Sequence, residues 1–459
     1  MGTSNDLLLS YYGDDFTGST DVMESLTRAG LRTVMFIDPP TAEQLRKYEA
    51  LRAVGLAGSS RTMSPRQMDV QLTEAFGKLA ALGAPIVHYK MCSTFDSSPQ
   101  VGSIGRAIDI GMKVFGSKVT ALLVGAPILG RYCAFGNLFA RSGLDSEPCR
   151  LDRHPTMRHH PTTPMDEADL RIHLGKQTAR KIGLFDVLAL ELPTEAAEAK
   201  FHSLLDACNE IVLFDVLYDE HLPAIGRLMW KQMTPGRTLF LVGSSGVEYA
   251  LTAHMNSLGM LPAPRPLGAD AIERLVVVSG SCSPVTDRQL AWFLERGAGE
   301  IPLKTDRLVD PACREAEIES SVQEALRLLG SGHSVVLPTC RGPQDPRLAA
   351  TVARLEALGQ DAKLRSAEIL GRALGDILMR ILDRSKLRRA AVTGGDTSTF
   401  VARQMGIEAL EMLAPLAPGA PLCTAHAPGT SMHGLEIVFK GGQNGKTDFF
   451  GAVMSPGRN

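Results

Sequence analysis

Short runs of Val, Ile and Leu alternate with segments of helical spacing along most of the chain, the pattern of strands and helices that build a mostly parallel sheet. The runs at 33 to 37, 54 to 58, 86 to 90, 120 to 125, 186 to 190, 211 to 215 and 238 to 242 predict buried strands. Ahead of them, Leu7-Leu8-Leu9-Ser10-Tyr11-Tyr12 gives way to Gly13-Asp14-Asp15-Phe16-Thr17-Gly18 and then to Val22, Leu26 and Ala29. That order predicts strand, tight loop and helix start. The alternation stops at 257 to 268, where Pro262, Pro264 and Pro266 deny both helix and ladder and Gly259 and Gly268 add freedom. It resumes with strands at 275 to 278, 335 to 338, 389 to 393 and 435 to 439. The fold class expected is α/β, with two α/β domains, mostly parallel sheets and ligands in the interdomain cleft. The divisions are residues 1–256, a linker at 257–272, and residues 273–459.

Composition narrows the function classes. With 459 residues, 44% hydrophobic and 21% charged, the chain exceeds one average core. A net charge of -2 and a pI near 6.6 provide no basic face for nucleic acid and no polybasic patch for a membrane surface. No segment approaches the roughly 18 apolar residues of a membrane span. A cytoplasmic protein acting on small molecules is expected, with a homodimer as the assembly to test. The eight cysteines show no C-x-x-C pair and no regular spacing, so they predict reduced thiols rather than a zinc ribbon or a disulfide framework.

Four loops share one grammar of apolar strand, glycine and hydroxyl residues, then helix: 13 to 20, Gly243-Ser244-Ser245-Gly246, Gly280-Ser281-Cys282-Ser283-Pro284, and Gly394-Gly395-Asp396-Thr397-Ser398-Thr399. Glycine admits a close backbone approach and a helix start presents free amides, so phosphate or carboxylate is the natural guest. In the first loop Asp15 or Thr17 serves as a helix cap, but a cap needs one acid. A second adjacent carboxylate repels the first, which points to paired acid–base groups at Asp14 and Asp15. The stretch from His88 to Ser98 gathers Lys90, Ser93, Thr94 and Asp96, a composition suited to an oxygen-rich anion or to a solvated turn. Arg61 adds a guanidinium fork able to hold a carboxylate. His154, His159 and His160 lie in a proline-rich loop whose spacing matches no known zinc pattern, so contact with an anionic substrate is the expected role. Gly441-Gly442-Gln443-Asn444-Gly445-Lys446-Thr447 imitates a Walker loop but is one residue short between its glycines; backbone contact with a nucleotide, with Lys440 or Lys446 as a point charge, is the remaining expectation.

Five ordered blocks resemble the four-carbon acid sugar kinase family over nearly the whole chain: Asp14 to Gly18, Lys90 to Ser97, Arg158 to Met165, Gly280 to Ser283 and Gly394 to Thr397. The terminal loop departs from that family's pattern at Lys440 to Gly445, where an aromatic residue is missing, and with Tyr11-Tyr12-Gly13 it looks like the branch acting on 3-oxo-isoapionate. The resemblance implies ATP-dependent phosphorylation of sugar acids such as threonate, erythronate or 3-oxo-tetronates, with the acid on the N-terminal domain and ATP with Mg²⁺ on the C-terminal one. On that basis Asp15 or Asp14 is expected to accept the proton of the sugar hydroxyl. Arg61, Lys90, Ser93, Thr94, Asp96, His160 and Ser244 are expected to bind substrate. Ser281, Ser283, Gly394, Gly395, Thr397, Gly441 and Gly442 are expected to hold the nucleotide, and Asp396 to reach Mg²⁺ or the ribose. A dinucleotide-dependent oxidoreductase or isomerase is the competing class, though no G-x-G-x-x-G follows a strand. A non-catalytic sugar-acid sensor switched by ATP is the other.

Overall fold

The computed structural model describes residues 7–141, 146–160 and 162–457, with the side chains of 362–364 and 396 outside that description. Two compact units form, one from the chain up to Thr33 together with Pro39–Arg265, the other from Val34–Asp38 and the chain from Pro266 on.

Among the described residues, eleven strands precede the irregular segment after Ser257. They are β1 (Leu9–Gly13), β2 (Thr33–Phe36), β3 (Ala53–Ala57), β4 (Ile86–Lys90), β5 (Thr120–Leu123), β6 (Arg131–Ala134), β7 (Asn137–Ala140), β8 (Cys149–Arg150), β9 (Ile182–Phe185), β10 (Ile211–Phe214) and β11 (Leu239–Gly243). The first unit's main sheet runs β3-β1-β4-β11-β5-β10-β9, and each of its pairings is parallel. β6, β7 and β8 form a small antiparallel sheet of their own. Because β3 lies on one side of β1 and β4 on the other, the direction of winding reverses beside β1. Open α/β sheets hold ligands at the carboxyl ends of strands at such a point.

The second unit carries β12 (Val276–Ser279), β13 (Gly299–Glu300), β14 (Val335–Pro338), β15 (Arg389–Thr393), β16 (Ala409–Ala417), β17 (Ala420–His426) and β18 (Glu436–Lys440). Their order is β13-β14-β12-β15-β18-β17-β16, parallel from β13 to β18 and antiparallel beyond. β2 completes this sheet: Phe36, Met35 and Val34 pair antiparallel with Ala409, Leu410 and Glu411. The winding reverses again between β12 and β15.

One local expectation is corrected and one hairpin is added. Residues 186 to 190 are a helix and not a strand, because Asp186 caps Val187–Leu190 by accepting from the Ala189 amide, and the strand lies earlier, at β9. The hairpin β16–β17 carries Pro415 and Pro421 and was not marked by its apolar pattern.

Candidate active site

Five consecutive buried residues make β1 a central strand, and its chain leaves the sheet at Gly13 directly into the helix Phe16–Arg28. Asp15 caps that helix in extended conformation, accepting from the Gly18 amide at 2.8 Å and from the Thr17 hydroxyl at 2.9 Å. The backbone ladder continues past the strand ends. Asp14 N donates to Lys90 O at 2.8 Å, and Arg61 N donates to Asp14 O at 3.1 Å. The ends of β1, β3 and β4 are thereby drawn together. Beneath them, the Tyr12 and Tyr89 rings stack with centroids 6.1 Å apart, and the Tyr89 and Ser60 hydroxyls lie 3.0 Å apart, which steadies the turn that carries Arg61.

Asp14, Asp15, Arg61 and Lys90 form one ionic cluster. Arg61 Nε and Nη2 donate to Asp14 at 3.1 and 2.8 Å, while Nη1 and Nη2 donate to Asp15 at 2.9 Å each. Lys90 donates to the Gly18 carbonyl at 3.2 Å and lies 3.6 Å from Asp21. Gly18 is required there: a Cβ would sit 2.5 Å from Asp15 Oδ1 and 3.1 Å from Lys90 Nζ. Burial pushes the Asp14 carboxyl up against the attraction of Arg61. Burial acts on Asp15 the same way, but Arg61 and Lys90 outweigh it and hold Asp15 below the usual carboxylate range. Two adjacent acids are thus driven apart in acidity, the pattern of groups with different tasks. Asp15 is the more accessible, its side chain 17% exposed against 3% for Asp14.

The cluster extends through β4. Thr94 donates to Asp96 at 2.7 Å, and its hydroxyl lies 2.9 Å from the Cys92 thiol. Cys92, pushed by burial up to about 11, feels Asp96, Arg61 and Asp14 in turn. Ser93 is half-buried in the same turn. His160 and Ser244 are committed to local structure: His160 Nδ1 accepts from the Thr163 amide at 3.1 Å, and Ser244 donates to the Val124 carbonyl at 2.7 Å while accepting from the Gly246 amide.

One residue of this neighbourhood, Arg131, escaped the sequence reading, while His154 was marked by its proline-rich loop. Arg131 has three backbone carbonyls on Nη1, an Nε without a partner, and a guanidinium lowered first by burial and acted on by Cys92 and Asp96. His154 is buried, lowered by that burial, and feels Arg131 and Asp96. An arginine inside a weakly alternating edge strand carries no motif; a cation with no acid nearby in sequence was its one signal.

In the second unit the reversal of winding between β12 and β15 opens a cavity of about 360 Å³. Gly280, Ser281, Gly394, Gly395, Thr397 and Gly442 line its polar side. A Cβ on Gly280 would stand 2.2 Å from Thr397 Oγ1, and Gly394 has φ +116°, so both positions require glycine. The helix Gly395–Gln404 has no side-chain cap, which leaves its first amides for a ligand. Leu348, Val352 and Leu370 form an apolar wall. Ser283 caps the helix Pro284–Leu294 through the Val285 amide at 3.1 Å, and the Gly441 carbonyl accepts from Lys440 at 2.7 Å. Buried Lys440 has carbonyl and hydroxyl partners and lies 5.7 Å from the centroid of the Phe449 ring, and burial lowers it to about 7. The Asp396 side chain lies outside the described residues. Among the described residues no helix is long and apolar enough to cross a membrane.

One unit thus concentrates carboxylates and cations of a kind suited to an oxygen-rich acid, and the other offers glycine loops and a helix start of a kind suited to phosphates, the two parts that the class of two-unit small-molecule kinases requires. The family models agree with that division. A sugar-binding N-terminal domain matches residues 9–251, and a nucleotide-binding C-terminal domain matches residues 276–450. A 3-oxo-isoapionate kinase of Paraburkholderia graminis is 48% identical over 97% of this chain and 94% of its own. A 3-oxo-tetronate kinase of Methylobacterium radiotolerans is 32% identical over 98% of this chain and 99% of its own. In structure, a Salmonella typhimurium LT2 protein solved as a tRNA synthase candidate superposes with TM-score 0.77 at 26% identity, covering 96% of this chain and 97% of that one. The chain belongs to the four-carbon acid sugar kinase family. It is an ATP-dependent sugar-acid kinase.

Proposed function

We propose that the sugar acid phosphorylated is a 3-oxo acid of the 3-oxo-isoapionate or 3-oxo-tetronate type, bound by the first unit. The observation that carries the site is the Asp14–Arg61–Asp15 ion cluster at the carboxyl ends of β1, β3 and β4. The 48% identity with a 3-oxo-isoapionate kinase supports the branched acid first.

Phosphoryl transfer asks for an in-line hydroxyl, positive charge on the phosphate oxygens and a late proton acceptor. Asp15 takes that proton. Its accessibility decides the choice over the more basic Asp14, because reach comes before acidity for a general base and a loose transition state demands little basicity. Arg61 and Asp14 position Asp15. Lys90, Ser93, Thr94 and Asp96 hold the hydroxyls and keto oxygen, with His160 and Ser244 shaping the loops around them. Arg131, whose Nε is unengaged, takes the substrate carboxylate, a role that Arg61 is less free to fill.

In the second unit the amides of Gly394 and Gly395, with Ser281, Thr397 and Gly442, hold the ATP phosphates, while Ser283 and Gly441 fix the loops that present them. The apolar wall of Leu348, Val352 and Leu370 suits an adenine face. Mg²⁺ bound with ATP would offset charge on the phosphates. Asp396 is the residue proposed to reach it or the ribose. A coupled ADP-release screen over three- to five-carbon sugar acids, branched 3-oxo acids included, tests the reading. Turnover confined to 3-oxo acids supports it, and turnover only with threonate or erythronate rejects the substrate assignment.

A further inference from the structure

We infer that Cys282 and Cys340 are a peroxide-oxidisable dithiol built into the wall of the nucleotide cavity, closing to a reversible disulfide that weakens ATP binding. The effect on ATP rests on the nucleotide reading above; the thiol chemistry does not.

The two cysteines are held in register by neighbouring parallel strands. β12 and β14 pair up to Ser279 and Pro338, and the Thr339 amide extends the ladder to the Ser279 carbonyl at 2.8 Å. Cys340 follows Thr339, and Cys282 sits three residues beyond Ser279 in the loop that leads to the helix Pro284–Leu294. Their sulfurs are 3.3 Å apart. A disulfide needs about 2.05 Å, so bond formation asks for roughly 1.3 Å of approach, within the give of one loop.

The pair is asymmetric in the way an attacking and a resolving thiol require. Cys282 is exposed and lines the cavity, whereas Cys340 is buried at 1% exposure. The Cys340 thiol donates to Cys282 sulfur, and that hydrogen bond lowers Cys282 to about 7 while raising Cys340. A large share of Cys282 is therefore thiolate near neutral pH, the nucleophilic form. Cys133, by contrast, is pushed well up by burial.

With hydrogen peroxide as oxidant, Cys282 thiolate attacks one oxygen, the O–O bond breaks and a sulfenic acid forms; the expelled hydroxide takes up the proton that Cys282 had released and leaves as water. Cys340 sulfur then attacks the Cys282 sulfur and expels a second water. The two thiols lose two electrons and two protons, and one hydrogen peroxide becomes two water molecules. Closure moves Cys282 toward Cys340 and drags Ser281. The Ser281 hydroxyl accepts from the Ser283 amide and donates to Thr286, which in turn donates to the Gly442 carbonyl. The disulfide so displaces three of the groups proposed to present or hold phosphate.

The test is peroxide treatment of the full-length protein, followed by non-reducing tryptic mapping and, separately, by ATP titration calorimetry. The expected product links the peptides 275–288 and 328–341, two hydrogens lighter than their sum. ATP Kd is expected to rise at least tenfold, and dithiothreitol to reverse both changes. Reduced Cys340→Ser is expected to bind ATP like the wild type and to form no such link under peroxide; should that variant not fold, the wild-type map and its reversal by reductant decide. Absence of the 275–288 to 328–341 link overturns the thiol pair, and a link that leaves ATP Kd unchanged overturns the control of binding. A reduced protein that fails to bind ATP counts against the nucleotide reading, while the peptide map still decides the chemistry of the thiols.

Discussion

Arg61 meets Asp14 with two of its donors, Nε at 3.1 Å and Nη2 at 2.8 Å, on a carboxylate that is 2% exposed as a residue. A buried ion pair of this kind is weak evidence for net stability, because desolvation consumes most of the attraction. Breaking it is costly all the same. Arg61→Ala is expected to lose about 3 kcal/mol in denaturant unfolding, since Asp14 is left buried and unpaired. Arg61→Lys keeps the charge but not the fork, so much of the loss in kcat should persist in a variant that folds.

Asp15→Asn is expected to lower kcat at least about a hundredfold with little change in ATP affinity, the magnitude of a lost general base. Steady-state kinetics on both Asp15→Asn and Asp14→Asn check the assignment. A large loss in the Asp14 variant alone exchanges the two roles, and no loss in either removes the catalytic reading of the tandem. Because Asp15 is held below the usual carboxylate range, its contribution to stability is present above about pH 4 and fades as pH falls through its folded value.

Arg131→Met is expected to raise KM for the sugar acid ten- to a hundredfold while leaving KM for ATP unchanged. The methyl ester of the same acid, which has no carboxylate to lose, should be turned over equally poorly by wild type and variant. A variant that discriminates acid from ester as the wild type does places the carboxylate elsewhere.

Gly280→Ala places a methyl group 2.2 Å from the Thr397 hydroxyl and is expected to raise ATP Kd at least tenfold. Sugar-acid binding measured by calorimetry without nucleotide should be unaffected, since Gly280 belongs to the other unit.

Lys440 titrates near 7, burial having disfavoured its charged form. As pH falls from the unfolded value of about 10.4 toward 7, the unfolded chain takes up this proton first, so Lys440 costs stability across that window. Lys440→Met is expected to be more stable at pH 7 by up to about 4 kcal/mol. If Lys440 meets the ATP phosphates, their charge raises it again, and ATP binding at pH 8 takes up a proton. Calorimetry in buffers of different ionisation enthalpy measures that proton, which the Met variant should lack.

The sequence by itself determined the α/β class, most strand positions and the glycine-, acid- and hydroxyl-rich loops at the strand ends, because buried strands are continuous apolar runs and the breaks between them are residues of those kinds. Asp14, Asp15, Lys90, Gly280, Gly394 and Thr397 stood out for that reason: each is the last residue of a strand or lies within four residues after one. What only the tertiary structure decided is partnership. That Arg61 faces both acids of the tandem, 46 and 47 residues away, depends on β3 and β4 flanking β1, an order no local pattern records. β2 reads as one more strand among its neighbours, yet its segment pairs with β16 in the second unit, because hydrogen-bonding edges match irrespective of distance along the chain. The same physics brought Cys282 within 3.3 Å of Cys340 and left Arg131 beside Asp96 without a partner on its Nε. Strand order sets which side chains meet, and strand order is a property of the folded sheet.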